Sequence, residues 1–132
     1  MAFLLLLSLV ACGNRNIPDQ ELGLVSGVVL LDNQPLGGAQ ITFTPLQNGA
    51  MSYGTTDTQG KYELIYSPGI PGAVLGMHEV RISKVGGPDS KFDTLEMLPV
   101  EYNSKSKLTA EVQAGKNTLD YSLKSHSGSS KK

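Results

Sequence analysis

Short apolar runs with period-two alternation dominate the body of this chain and restrict the available folds more than any other feature. In residues 39–45 the apolar side chains Ala39, Ile41 and Phe43 alternate with polar ones, the pattern of a strand with one buried face. Beyond residue 23, no stretch sustains the i, i+3, i+4 spacing of an amphipathic helix. Turn-forming residues separate the runs, since the 132 residues include 15 glycines and 7 prolines. The pattern predicts an all-β sandwich or barrel.

Seven strands are predicted over residues 24–123, with longer irregular segments at 67–76 and 86–106. Seven strands in about 100 residues can bury one core between two sheets packed about 10 Å apart. No internal repeat is present, which argues against a propeller or a solenoid. The predicted strands cover residues 24–31, 39–45, 51–56, 61–66, 77–85, 108–112 and 119–123.

The first twelve residues contain no charged side chain and differ in character from the body of the chain. Their apolar run is about half the ~20 residues of a membrane-spanning helix and matches the roughly 7–15 residues of a signal-peptide core. We therefore expect residues 1–11 to be a signal peptide. Residues 12–23 are mostly polar and contain Pro18, a composition typical of a tether between an anchor and a domain.

The apolar run ends in Leu9-Val10-Ala11-Cys12, which resembles the lipobox of bacterial lipoproteins, where small residues precede a cysteine that becomes lipidated. The resemblance implies cleavage after Ala11, a diacylglyceryl thioether on Cys12 and attachment to a membrane through that lipid. It also implies a location in the cell envelope, at the outer membrane or periplasmic face in preference to the cytoplasm. Cys12 is the single cysteine, so no internal disulfide can form. The alternative is that Cys12 is an ordinary buried thiol in a short apolar strand.

Three segments of the body resemble carboxypeptidase regulatory-like domains. Residues 25–32 (VSGVVLLD) are similar to the V-x-G-x-V opening and Asp-containing turn of that family. Residues 55–62 (TTDTQGKY) resemble its T-D-x-x-G-x-Y hairpin, and residues 76–82 (GMHEVRI) resemble its G-x-H/Y-x-V-x-I strand. With the lipobox in front, the arrangement is similar to small planctomycete-type envelope lipoproteins. The resemblance implies a seven-stranded transthyretin-like (prealbumin-like, Ig-like) β-sandwich over residues 24–123, without catalytic residues of its own.

Charge and residue content argue against several function classes. The 11 Lys+Arg against 12 Asp+Glu give a formal net charge of -1, so the chain lacks the basic footprint of a nucleic-acid-binding domain. His78 lies at the start of a predicted strand, where we expect a structural residue at the rim of the sandwich. His126 lies in residues 124–132, which we expect to be a disordered tail. Neither histidine has a second ordered His or a Cys as a co-ligand, so we expect no metal, no cofactor and no enzymatic activity.

The candidate interaction surface consists of four residues in two parts of the chain. Val28 and Leu30 face outward if Val25 faces inward, and the family that this segment resembles commonly carries polar residues there. Either a loop or the tether covers them, or they form an exposed strip on an edge strand that pairs with a partner. Pro99 and Tyr102 lie in the long irregular segment, where Tyr102 either closes the open end of the sandwich or stacks on a sugar ring.

These features favour a non-catalytic structural or protein-interaction module that binds an envelope protein through an edge strand or through segments 67–76 and 86–106. The alternative is a carbohydrate-binding module at the cell surface, with polysaccharide as its partner. The chain has no Trp, and its 3 Phe and 5 Tyr give little material for an aromatic sugar platform. This shortage favours the first class.

Overall fold

A computed structural model describes residues 21–85 and 96–125. The expected signal peptide with Leu9, Val10 and Ala11, the lipidation site Cys12, most of the tether and His126 lie outside the described residues. The described chain is almost entirely β, and its one helical element is a 3₁₀ helix at Val100–Tyr102, so no helix in these ranges could cross a membrane. The strands are β1 (Leu22–Leu31), β2 (Gln34–Pro35), β3 (Gln40–Pro45), β4 (Ser52–Thr55), β5 (Lys61–Glu63), β6 (Ile65–Ser67), β7 (Ile70–Pro71), β8 (Ala73–Val74), β9 (Gly76–Ser83), β10 (Leu108–Val112), β11 (Lys116–Thr118) and β12 (Tyr121–Leu123).

The strands form two sheets, which confirms the prediction of an all-β, sandwich-like fold. The first sheet is built around β1, which pairs in parallel with β11 and β12 and antiparallel with β2, β5 and β8. The second sheet has the strand order β10-β9-β3-β4-β6-β7, and all its pairings are antiparallel. Twelve short strands thus stand in the described residues, against the seven predicted.

The core lies between the two sheets and is made by alternate residues of their strands. Ala39, Ile41 and Phe43 are fully buried, as the alternation in residues 39–45 predicts, and so are Val80 and Ile82. Leucine and tyrosine side chains at the margin are partly buried and pack against this cluster. The buried apolar cluster contains Val25, Val29, Leu36, Ala39, Ile41, Phe43, Tyr62, Leu64, Ala73, Val80, Ile82, Leu98, Ala110, Val112 and Leu123.

Leu64 divides the predicted strand 61–66 between the two sheets, so the prediction of one continuous strand is wrong. On its N-terminal side β5 pairs with β1, and on its C-terminal side β6 pairs with β4. The Leu64 N–H donates to the Val25 carbonyl at 3.0 Å, and the Leu64 carbonyl accepts from the Gly72 N–H at 2.9 Å. The side chain of Leu64 is fully buried, so the crossing point itself is fixed in the core.

Two glycines allow β1 to have close neighbours on its parallel side. A Cβ atom at Gly27 would lie 1.9 Å from the Leu119 carbonyl oxygen, and a Cβ atom at Gly23 would lie 2.1 Å from the Gln113 carbonyl oxygen. Both distances are far inside van der Waals contact, and both oxygens belong to the backbone. Any larger residue at either position would therefore push the neighbouring chain away from β1.

The chain between β11 and β12 leaves the regular ladder but stays bonded to β1. The Leu119 N–H donates to the Ser26 carbonyl at 2.8 Å. One residue later the Asp120 side chain replaces a backbone acceptor, because its Oδ1 accepts from the Val28 N–H at 2.8 Å. The Tyr62 hydroxyl, which reaches across from β5, donates to the Leu119 carbonyl at 2.5 Å. The backbone groups of β1 are thus satisfied across this interruption.

Residues 57–60 form a tight turn within the segment that resembles a family hairpin, and the Gly60 N–H donates to the Asp57 carbonyl at 2.9 Å. Asp57 Oδ1 accepts hydrogen bonds from the N–H groups of Lys61 (2.9 Å) and Gln59 (2.8 Å), and these bonds lower the pKa of the Asp57 carboxyl below its ordinary value. Gly60 has a φ of 79°, a conformation that glycine adopts without steric cost.

His78 is fully buried in the core, so the expectation that it lies at the rim is wrong. Its parity with Val80 turns the ring inward, where it packs against Phe43 with 5.6 Å between ring centroids. Nδ1 lies 3.0 Å from the Gly76 carbonyl, which can only accept, so the neutral ring carries its proton on Nδ1. Nε2 is buried without a hydrogen-bond partner among the described residues. Desolvation lowers the pKa of His78, and the bond to Gly76 opposes that shift in part.

This burial predicts a stability that falls as the pH falls. The unfolded chain takes up a proton at His78 near pH 6.5, whereas the folded chain does so only at lower pH. The free energy of unfolding should therefore decrease below about pH 6.5, by at most about 1.4 kcal/mol per pH unit from this group. Urea unfolding at about pH 5 and about pH 7.5 measures the difference. His78→Phe should abolish most of it and His126→Gln should leave it unchanged; an equal pH dependence in His78→Phe and the wild type would contradict this assignment.

Candidate interaction surface

Val28 and Leu30 lie on a strand that is paired on both sides, so the interpretation of β1 as an edge strand is wrong. Val28 stands opposite Lys61 of β5, and Leu30 stands between Pro35 of β2 and Ser122 of β12. Both side chains are half-buried. Their backbone lies between paired neighbours and cannot pair with a partner strand. Their side chains still contribute to the outer face of the first sheet.

The carboxylate of Glu96 connects the segment that begins at residue 96 to the end of β9. Its Oε1 accepts from the Ser83 hydroxyl, and its Oε2 accepts from the N–H groups of Lys84 (2.8 Å) and Leu98 (3.0 Å). The Met97 N–H also donates to the Lys84 carbonyl at 2.7 Å. Charge-assisted bonds of this kind are the stronger ones in proteins. One side chain therefore holds residues 96–98 against the end of β9.

The same segment covers the part of β9 that β10 does not reach. β10 pairs with β9 only from Gly76 to Val80. Beyond that point Asn103 Nδ2 donates to the carbonyls of Ile82 (3.3 Å) and Pro99 (3.1 Å), and the Ser106 hydroxyl donates to the Val80 carbonyl. Hydrogen bonds from these side chains thus replace the backbone pairing that β10 does not provide along this edge of β9.

Pro99 and Tyr102 face the protein more than the solvent. Pro99 is buried, and Tyr102 is half-buried against the core, with its hydroxyl accepting from the Lys124 N–H at 3.0 Å. This placement agrees with Tyr102 closing the end of the sandwich and not with an open stacking platform. The exposed apolar side chains of the segment are instead Met97 (47%) and Val100 (51%). Sequence reasoning missed both, since an irregular segment has no periodicity from which to assign a face.

The segment forms one wall of a groove on the outer face of the second sheet. Thr42, Arg81 and Ser83 line its floor, and Leu98 and Val100 line its wall, around a volume of about 560 Å³. Arg81 Nε donates to Glu79 Oε1 at 2.8 Å, an exposed ion pair that borders the floor. The groove combines an apolar wall with a guanidinium and hydroxyls, a composition suited to a peptide or protein segment.

A second concavity lies where β4 meets β5 and β6, with a volume of about 490 Å³. Tyr53 is its prominent feature, because 41% of this residue is exposed and it stands opposite Ile65 of β6 on the outer face of the sheet. The buried positions of β4 are Ser52 and Gly54, so Tyr53 faces outward although it is the bulkiest apolar side chain of the strand. This concavity is also lined by Gly54, Thr55, Asp57, Lys61, Tyr62 and Glu63.

The side chains that line these concavities offer apolar contact, hydrogen bonds and charged groups of both signs. Within residues 21–85 and 96–125, no group of three or more His, Cys, Asp or Glu side chains could hold a metal ion. The described histidine, His78, is inside the core and lines neither groove.

Removal of the Glu96 carboxylate should release the segment that walls the first groove. In Glu96→Ala, amide hydrogen exchange at Met97 and Leu98 should speed up by about tenfold or more, because charge-assisted bonds contribute about 1.5–3 kcal/mol each. Exchange at the Phe43 amide in the core should stay unchanged. Glu101→Ala is the matched control, since Glu101 is an exposed carboxylate of the same segment. Equal exchange at Met97 in both variants would contradict the anchoring role of Glu96.

Comparison with known proteins adds little to this geometry. No family sequence model and no curated protein sequence matches the chain. Among solved structures, a 9R-lipoxygenase from Cyanothece PCC8801 is similar over 83% of this chain and 17% of its own, with 19% sequence identity and a TM-score of 0.36. The chain therefore spans about a sixth of that protein's length, and the similarity is too low to carry an argument about fold type or activity.

Proposed function

We propose that this protein is a non-catalytic, lipid-anchored protein of a bacterial cell envelope, whose β-sandwich is a structural or protein-interaction module. The observation that carries the proposal is the uncharged apolar run that ends in Leu9-Val10-Ala11-Cys12. A hydrophobic run too short to span a bilayer, followed by small residues and the single cysteine, fits a lipoprotein signal better than a buried strand.

Lipid on Cys12 would suffice as an anchor. Each buried methylene contributes about 0.8 kcal/mol, and two acyl chains hold a protein stably where one does not. Residues 13–21 would link the lipid to β1, which begins at Leu22. Nine residues reach at most about 30 Å when fully extended, so the sandwich would lie close to the membrane surface.

We further propose that the sandwich is of the transthyretin-like, carboxypeptidase regulatory-like type. The positions of the three resembling segments support this assignment. Gly27 of the first segment lies against the Leu119 carbonyl, where only glycine fits. Asp57 and Gly60 of the second form a hydrogen-bonded turn. Residues 76–82 of the third fall in β9, next to the central strand of the second sheet.

The outer face of the second sheet is the proposed interaction surface for an envelope protein. It carries the groove beside Val100 and borders the concavity at Tyr53, which β5 of the first sheet also lines. Both contain exposed apolar side chains next to hydrogen-bonding groups. This face replaces the Val28 and Leu30 strip as the principal candidate, because β1 offers no free edge.

Metabolic labelling with palmitate tests the anchor. Lysines added after Met1 supply the positive n-region that bacterial export signals use. The wild-type chain should incorporate label and sediment with membranes, and Cys12→Ala should lose both properties. Ser8→Ala, a change in the same apolar run but outside the lipobox, should keep both. Labelling of Cys12→Ala, or an unlabelled wild type, would contradict the proposal.

Carbohydrate binding is the second candidate, and Tyr53 is the observation that favours it. An exposed aromatic ring beside Thr55, Lys61 and Glu63 can stack on a sugar and offer hydrogen bonds to its hydroxyls. Titration with envelope polysaccharides, followed by NMR, separates the two classes. Saturable shifts around Tyr53 that Tyr53→Ala abolishes would favour the glycan, whereas recovery of a specific protein partner without such shifts would favour the interaction module.

A further inference from the structure

β10 ends the second sheet and leaves one side of its backbone unpaired by any described strand. It pairs with β9 over five residues, from Leu108 opposite Val80 to Val112 opposite Gly76. The other end of the sheet is blunted, since β7 has only two residues and one of them is Pro71. β10 is thus the longer free edge in residues 21–85 and 96–125.

The hydrogen bonds of β9 show which backbone groups of β10 are free. The Leu46 N–H donates to the Met77 carbonyl, so odd-numbered residues of β9 bond toward β3. The carbonyls of Val80 and Ile82 accept from the opposite side, so even-numbered residues bond toward β10. In an antiparallel ladder, residues 108, 110 and 112 of β10 therefore bond to β9. The N–H and C=O groups of Thr109 and Glu111 point away from β9, toward the open edge of the sheet.

The side chains on this edge have a self-complementary order. Lys107, Thr109 and Glu111 share the outer face and are all exposed. If a second β10 runs antiparallel with Thr109 opposite Thr109, then Lys107 of each copy stands opposite Glu111 of the other. On the inner face the same register places Leu108 opposite Ala110. Two unlike-charge pairs and two apolar pairs thus form at once, without any like-charge contact.

We propose that this protein forms a homodimer in which the β10 strands of two copies pair antiparallel about Thr109. The free groups of Thr109 and Glu111 then bond across a two-fold axis, and the second sheets of the two copies become continuous. The partner is a second copy of this chain, identified by the match of Lys107 with Glu111. This inference goes beyond the proposed function and does not depend on the lipid.

Charge reversal tests the register directly. The full chain with Cys12→Ser, in micelles of a non-ionic detergent, should sediment as a dimer with a measurable Kd. Lys107→Glu and Glu111→Lys each place like charges opposite one another twice per dimer, so each should raise the Kd by about tenfold or more. The double variant Lys107→Glu/Glu111→Lys restores opposite charges and should return the Kd to near the wild-type value. A thermal melt of each variant verifies that the sandwich stays folded.

A cysteine at the two-fold position supplies a second measurement. In the Cys12→Ser chain, Thr109→Cys is the only thiol, and the Cα atoms of a directly opposed hydrogen-bonded pair lie about 5.5 Å apart, within disulfide range. Mild oxidation should convert most of this variant to a covalent dimer. Thr44→Cys, an equally exposed threonine on the same face of β3, is the matched control and should stay mostly monomeric.

Each outcome decides the proposal. Rescue by the double charge swap together with selective crosslinking at residue 109 would establish self-pairing through β10. A monomeric wild type, single reversals that leave the Kd unchanged, or equal crosslinking at residues 44 and 109 would overturn it. Crosslinking of Thr109→Cys to a different protein in cells would also overturn self-pairing, because it would show that β10 pairs with a strand of another protein.

Discussion

The close approach of the Leu119 carbonyl to Gly27 is the contact on which the rest of this structure depends. It lets the chain return beside β1 at a point where an alanine would collide with the backbone. β1 can therefore be paired on both sides, with β11 and β12 on one and β2, β5 and β8 on the other. The hydroxyl of Tyr62 bonds to the same Leu119 carbonyl and ties the two sides together.

The pairing of β1 on both sides excludes its backbone from the surfaces that a partner strand can use. β1 has no unpaired backbone to offer, whereas the second sheet ends in β10, carries the groove beside Val100 on its outer face and borders the concavity at Tyr53. The carboxylate of Glu96 and the amide of Asn103 complete the edge that β10 leaves uncovered. The free edge of β10 and the groove beside Val100 are therefore surfaces of the second sheet that a partner can contact.

The sequence was most informative where periodicity and turn chemistry are local. Alternation placed Ile41, Phe43 and Val80 in the core, and the Asp57 turn follows from side-chain hydrogen bonding between near neighbours. The division of residues 61–66 between sheets depends on the distant Gly72 and Val25, and no local pattern contains it. The orientations of Pro99 and Tyr102 were the least predictable, because these residues lie in an irregular segment that distant partners such as Ser83 and Ile82 hold in place. The sequence of β1 leaves open whether it is an edge strand, because its parallel partners come from the end of the chain.

Equilibrium unfolding of Gly27→Ala tests the central role of β1 most directly, with Ser26→Ala on the same strand as the control. The Ser26 side chain is exposed, and only its backbone carbonyl bonds to Leu119. The account predicts that Gly27→Ala lowers the free energy of unfolding by about 3 kcal/mol or more, at or above the upper end of the usual cost of overpacking, whereas Ser26→Ala changes it by less than about 0.5 kcal/mol. Equal stability of the two variants would show that Leu119 does not approach β1 as described, and the account of the first sheet would fail.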